Sequence, residues 1–163
     1  MPWKSSSPKL SPARSWAHIV AAATLGLTIL LFVLSLILPA YRLAHDDPVK
    51  SDPAIILLLV GWMGLAYGTY AWLANPLLLL SCTFMATRWT RPIAISTGLL
   101  ALGTALCFQR QTTIIRDEAG NYDTIVSYGP AYFVWITSMA TLVLGAVLAS
   151  LLDFLGRKRQ PSP

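Results

Sequence analysis

Long apolar stretches separated by short polar segments dominate the pattern of this chain. The first stretch, residues 17–40, follows Ser15, a suitable helix N-cap, and Trp16, a typical interfacial anchor. About 20 apolar residues are enough for a helix to cross a hydrocarbon core roughly 30 Å thick. Residues 92–108 and 130–154 form two further stretches of this kind. The pattern therefore predicts transmembrane helices at these three positions.

Residues 54–87 form a fourth apolar segment, whose length fits neither one span nor two. The 34 residues carry no charge. One helix of this length would measure about 51 Å, whereas two spans and a turn need more than about 40 residues. Counting back about 20 residues from Arg88 places the span at 68–87. We expect a long, tilted helix broken near Asn75–Pro76, with residues 54–67 as its extension or at the interface. A re-entrant segment is the alternative.

Residues 109–129 form the largest polar segment between the spans. Two β-prone runs, 112–115 and 124–128, surround an acidic stretch, and Gly120–Asn121 suits a hairpin turn. The predicted fold class is therefore an all-α membrane protein, a four-helix transmembrane bundle with a small outer β-hairpin.

The predicted four-span domain covers residues 16–156, and the tails on either side of it are polar. Residues 1–15 are rich in proline and serine and cannot bury enough apolar surface to offset the entropy of ordering. We expect a disordered tail there and a short basic tail at residues 157–163.

Composition supports lipid as the solvent of this chain. Of the 163 residues, 55% are hydrophobic and only 12% are charged, whereas a soluble domain carries roughly 25% charged residues. A soluble domain of this size could not bury so much apolar surface. The net charge of +5 does not indicate nucleic-acid binding, because the basic residues flank apolar runs and do not cluster on a soluble face.

The distribution of basic residues predicts the orientation. Eight of the twelve lysines and arginines would lie on one side of the membrane: Lys4, Lys9, Arg14, Arg88, Arg91, Arg157, Lys158 and Arg159. The other side would carry Arg42, Lys50, Arg110 and Arg116. The positive-inside rule then puts both termini in the cytoplasm. The absence of an Asn-x-Ser/Thr sequon favours a bacterial inner membrane.

Asn75–Pro76 is the polar feature that stands out within the apolar segments. Proline lacks an N–H, so the carbonyl one turn earlier, near Trp72, loses its hydrogen bond within the helix. The asparagine side-chain amide also needs a hydrogen-bond partner in lipid. The preferred interpretation is a packed kink in which Asn75 bonds to another helix. The alternative is a ligand or ion site at a broken helix, as in many transporters.

Small residues form two motifs that predict close helix packing. Gly64 and Gly68 satisfy GxxxG, which permits close backbone approach between helices. A stripe in the last span repeats every four residues: Thr137, Thr141, Gly145 and Ala149. We expect both motifs to pack within the chain, with a surface for another protein as the alternative for the glycines.

No arrangement of reactive residues indicates catalysis or a cofactor. His18 would lie at the inner interface and His45 outside, so the two cannot hold one haem. Cys82 and Cys107 would differ in depth by roughly 15 Å, which is too far for a disulfide. The sequence contains no P-loop, HExxH motif or catalytic triad pattern. We therefore expect no enzyme, metal or cofactor.

The hypothesis that remains is a non-enzymatic protein that binds another membrane or periplasmic protein. It would be an accessory subunit of a membrane complex or an immunity protein against a membrane-directed toxin. The candidate contact residues are Asp117, Glu118, Asn121, Tyr122 and Trp62. The alternative is an oligomeric channel or small-solute transporter with its site around Asn75–Pro76, and homo-oligomerisation remains open under either hypothesis.

Overall fold

The computed structural model describes residues 12–44, 53–115 and 121–158. The described chain is mostly helical and carries one small antiparallel sheet. The α-helices are α1 (Pro12–Ile37), α2 (Ala54–Val60), α3 (Ala74–Met85), α4 (Arg91–Cys107) and α5 (Pro130–Lys158). Three 3-10 helices cover Gly61–Tyr67, Tyr70–Leu73 and Phe108–Arg110. The strands are β1 (Tyr41–Leu43), β2 (Thr113–Ile115) and β3 (Tyr122–Tyr128).

Three helical segments in the described residues are long and apolar enough to cross a membrane. They are Ser15–Ile37, Arg91–Arg110 and Pro130–Arg157. These segments correspond to the three uninterrupted apolar stretches of the sequence, and they support a membrane protein. The remaining apolar helical segments, Ala54–Tyr67 and Tyr70–Met85, are shorter.

The fourth apolar segment is divided by a turn at Gly68. The φ of Gly68 is +83°, in the left-handed region that glycine adopts without steric cost. The Thr69 N–H donates a hydrogen bond of 2.9 Å to the Gly64 carbonyl across this turn. The expectation of one long helix broken near Asn75–Pro76 is therefore wrong. Pro76 lies in the first turn of α3, where a missing N–H costs little.

Residues 54–67 lie across one end of the helix bundle. The Ala54 N–H donates to the Leu38 carbonyl (2.9 Å), which ties the start of α2 to the end of α1. Beyond the other end of the segment, the Gln111 side-chain amide donates to the Thr69 hydroxyl (3.4 Å). The first 3-10 helix also contacts β2. This segment and the sheet therefore share an end of the bundle, called here the sheet end.

The long helices run antiparallel to their main neighbours. Helix α1 packs chiefly on α5, and α4 packs on α3 and α5. A Cβ atom added at Gly145 would lie 2.7 Å from the Thr24 Cβ, so α1 and α5 approach closely at mid-length. The Ser81 hydroxyl donates to the Ala94 carbonyl (2.5 Å) and joins α3 to α4. The start of α1, the end of α3, the start of α4 and the end of α5 thus share the opposite, basic end.

The sheet has the strand order β1-β3-β2, with both pairs antiparallel. The β2–β3 pair corresponds to the hairpin that the sequence predicts, although its loop at 116–120 lies outside the described residues. Strand β1, which the sequence does not predict, adds to the other side of β3. A bulge lies opposite Arg42 and Leu43, where the pairing passes from Ser127 to Ile125.

Alanine is the commonest residue in the buried centre of the bundle, which also holds a few large apolar side chains, and many large aliphatic side chains face outward. Ala94, Ala101 and Ala146 are fully buried, whereas Ile37 and Leu144 are 69% and 70% exposed. Small residues allow helix backbones to approach closely, and extensive exposed apolar surface marks contact with a membrane or with another protein. This distribution fits a helix bundle whose sides face a bilayer.

Candidate functional site

A cavity of about 390 Å³ lies at the sheet end, enclosed by α1, α2, the first two 3-10 helices and α5. Its wall is mostly apolar and rich in aromatic rings: Tyr41, Tyr67, Trp72, Phe108, Tyr132 and Trp135. The polar members of the wall include Ser35, Thr69 and Asn75, and none of the described residues that line the cavity is charged. A volume of several hundred cubic ångströms with few polar groups is typical of a small-molecule site.

Asn75 bonds to a neighbouring helix and also lines this cavity. The Trp135 indole N–H donates a hydrogen bond of 2.9 Å to Asn75 Oδ1. Because an indole nitrogen can only donate, this bond fixes which end of the amide faces α5. No acceptor for Asn75 Nδ2 is found among the described residues. The bond to Trp135 agrees with the packed interpretation of Asn75, and the cavity agrees with the ligand interpretation.

Three other polar side chains in the wall donate hydrogen bonds within the protein. The Trp72 indole donates to the Leu58 carbonyl (2.9 Å), which connects the two arms of the segment that turns at Gly68. The Tyr132 hydroxyl donates to the Ala105 carbonyl (3.0 Å), and the Ser35 hydroxyl donates to the carbonyl three residues earlier (2.6 Å). The Asn75 amide nitrogen therefore remains as a donor for a bound molecule.

The exposed face of the sheet is the second candidate surface. Of the predicted contact residues, Asn121 is exposed, Tyr122 is 64% exposed and Trp62, on the first 3-10 helix, is 56% exposed. All three belong to the sheet end. The predicted contacts Asp117 and Glu118 lie outside the described residues. Val126, which the sequence analysis did not single out, is 66% exposed on β3.

Aromatic residues hold the sheet on the bundle. The Tyr128 hydroxyl lies within hydrogen-bond distance of the Phe108 carbonyl (2.9 Å) and the Gln111 carbonyl (3.0 Å), to which it donates. The Tyr128 and Tyr132 ring centroids are 4.8 Å apart. Burial raises the pKa of Tyr128 above its usual value of 10.0, because the phenolate would lose solvation. The protonated Tyr128 thus anchors β3 to the end of α4.

A buried ion pair joins α4 to α5 at the basic end. Arg91 Nη1 donates to Asp153 Oδ2 and to the Ala149 carbonyl (3.3 Å). The Arg91 side chain is 1% exposed, and its Nε and Nη2 have no hydrogen-bond partner among the described residues. The sequence analysis counted Arg91 only as a topology residue, and 62 positions separate it from its partner.

The small-residue stripe of α5 does not form one uniform contact. Gly145 packs against Thr24, and Ala149 is buried beside the ion pair. Thr141 is half-buried, whereas Thr137 is exposed and donates to the carbonyl of its own helix four residues earlier (2.7 Å). The stripe thus contacts α1 at Gly145, whereas the end of the stripe at Thr137 is exposed.

The GxxxG glycines shape a local turn. A Cβ atom added at Gly64 would lie 3.1 Å from the Thr69 Cβ, and one added at Gly68 would have no atom within 4 Å. At neither position would the added Cβ atom have a second long helix among its nearest neighbours. Their use as a surface for another protein remains a prediction.

The part of the chain that the structure describes holds no group of three or more metal-ligating side chains. Cys82 is half-buried, Cys107 is exposed, and the two form no disulfide. His45 and the acidic residues at 46, 47 and 52 lie outside the described ranges. No protein family, curated protein or solved structure matches this chain.

Proposed function

We propose that this chain is a four-span protein of a bacterial inner membrane with both termini in the cytoplasm. Helices α1 and α4 both run toward the sheet end, so the chain has to return to the basic end between them. Tyr70–Met85 provides this return, with a length of about 26 Å for four 3-10 and twelve α-helical residues. That length approaches the thickness of the hydrocarbon core.

The charge distribution supports the same orientation. Arg88, Arg91 and Arg157 lie at the basic end, whereas Arg42 and Arg110 lie at the sheet end. The positive-inside rule therefore favours a cytoplasmic basic end and an outward-facing sheet.

The biochemical role that we propose is non-enzymatic binding of another membrane or periplasmic protein at the sheet end. The chain would act as an accessory subunit of a membrane complex or as an immunity protein. The observation that supports this role is the open side of the sheet. Strand β2 pairs with β3 on one edge and, within the described residues, with no strand on the other. A free edge offers backbone donors and acceptors to a partner strand, and exposed Tyr122 and Val126 add apolar contact area beside it.

Site-directed photo-cross-linking in the native membrane tests this role. A photoreactive phenylalanine analogue at Tyr122 or Val126 should give a discrete adduct with one protein. The matched control is Leu144, which is 70% exposed on the lipid-facing side of α5 and should give no discrete adduct. Equal cross-linking patterns at Val126 and Leu144 would contradict partner binding at the sheet.

A loop replacement separates binding from folding. Exchange of residues 117–122 for a Gly/Ser linker should abolish the adduct from Val126 and leave membrane insertion unchanged, because the helices supply the fold. Persistence of that adduct would move the contact away from the hairpin.

The second candidate function is a small-solute channel or transporter with its site at Asn75–Pro76. The observation that favours it is the position of Asn75 in the cavity wall. Purified protein in liposomes should be silent in a flux assay under the protein-binding role. Flux that disappears in Asn75→Leu would support the transporter.

A further inference from the structure

The cavity at the sheet end has a deep end and a mouth. Ser35 and Tyr132, at 2% and 4% exposure, lie in the deep part of its wall. Val60, Met63 and Tyr67 also line the cavity but are 41–50% exposed, so they mark its mouth. These exposed residues are apolar or aromatic. The mouth therefore favours the entry of an apolar molecule over a charged one.

The chemistry of the wall restricts what the cavity can hold. Within the described part of the chain no charged side chain lines it, so a charged ligand would lose its solvation without compensation. The many aromatic rings favour a flat ring over a flexible chain, because stacked or edge-to-face ring pairs add to the gain from burial.

Asn75 restricts the polar part of the ligand. Its Oδ1 already accepts the Trp135 indole N–H, so its Nδ2 can only donate. The complementary group on a ligand is a carbonyl or ether oxygen. Asn75 is half-buried, and such an oxygen would give its Nδ2 a hydrogen-bond partner inside the cavity.

We propose that this cavity binds a neutral, membrane-soluble ring compound whose carbonyl oxygen accepts a hydrogen bond from Asn75 Nδ2. Membrane quinones have this chemistry. The apolar mouth admits the ring from the bilayer, and the aromatic rings in the wall pack against it. Binding of this ligand is independent of a protein partner at the sheet.

The test compares two probes that differ only in the ring that they carry. Decylubiquinone has carbonyl oxygens, and decylbenzene has the same chain but no acceptor. Calorimetric titration of the purified protein in dodecyl maltoside should show decylubiquinone binding about tenfold more tightly, the effect of one hydrogen bond. Asn75→Leu should remove that difference. Equal affinities of wild type for the two probes would overturn the proposal.

A second pair of variants keeps the test independent of any disturbance at Asn75. Leu57→Trp, in the cavity wall on α2, should weaken both probes at least tenfold because the indole fills the space. Leu59→Trp, on the same helix but 67% exposed and away from the wall, should change neither affinity. Unchanged binding in Leu57→Trp would place the probes elsewhere. Complete displacement of decylubiquinone by an equal concentration of phosphatidylglycerol would show a lipid-chain site and contradict the proposal.

Discussion

Loss of the Asp153 charge should destabilise the bundle more than any exposed substitution. Asp153→Asn keeps the shape of the side chain but removes the counter-charge of Arg91, which is 1% exposed. Removal of one partner from a buried ion pair costs about 3–5 kcal/mol. The Asp153 side chain is 11% exposed, so some solvent reaches the site. We therefore expect a loss near the lower limit, about 3 kcal/mol.

Unfolding of the purified protein in mixed micelles, followed by tryptophan fluorescence, measures this loss. The double variant Arg91→Met/Asp153→Leu should recover most of it, because no uncompensated charge stays buried. Arg88→Gln is the control. Arg88 is exposed and stacks on Trp89, with 4.8 Å between the guanidinium carbon and the ring centroid, so its loss should cost less than about 1 kcal/mol.

Two results would refute the reasoning about this pair. A loss below about 1 kcal/mol in Asp153→Asn would mean that solvent or lipid head groups already satisfy Arg91. The two single variants Arg91→Met and Asp153→Leu complete the comparison. If the double variant lost as much free energy of unfolding as the two single variants together, the charges would not interact.

Two further predictions concern packing and the sheet. Gly145→Leu should lower the free energy of unfolding by about 1–3 kcal/mol, because the new side chain would meet Thr24. The control Leu148→Ile, at a half-exposed position, should be near neutral in the same thermal melt in detergent. Equal melting temperatures of the two variants would contradict close packing of α1 on α5 at Gly145. Tyr128→Phe should lower the free energy of unfolding by about 1 kcal/mol, because it removes the hydrogen bonding of the hydroxyl. The folded-state pKa of Tyr128 is raised, so its contribution is complete below pH 10 and is lost as pH rises through the folded-state pKa. Wild type should therefore lose more stability than Tyr128→Phe as the pH rises above 10, and parallel losses would contradict the role of this hydroxyl.

The sequence predicted the three longest helices because uninterrupted apolar stretches of sufficient length leave few alternatives in lipid. It placed the break in the fourth segment wrongly. No charged residue marks Gly68, and the proline eight residues later is the more conspicuous helix breaker. The three glycines at 61, 64 and 68 were the available signal for a turn, but GxxxG also occurs in packed helices.

The candidate site was predictable only in part. Asn75 stood out as a polar residue in an apolar segment, yet its partner Trp135 is 60 positions away and no local pattern connects them. The ion pair between Arg91 and Asp153 depends on the same kind of long-range packing. Strand β1 has only three residues, which is too short for an alternating pattern to be seen.

The most direct test of the account is whether the sheet end and the basic end lie on opposite sides of the membrane. In a background with both native cysteines replaced by serine, Val126→Cys and Thr87→Cys report the two ends, since both positions are exposed. A membrane-impermeant maleimide added to spheroplasts should label Val126→Cys at once and Thr87→Cys only after permeabilisation. The same labelling of both positions in sealed spheroplasts would contradict opposite sides, and labelling of Thr87→Cys alone would contradict the proposed orientation.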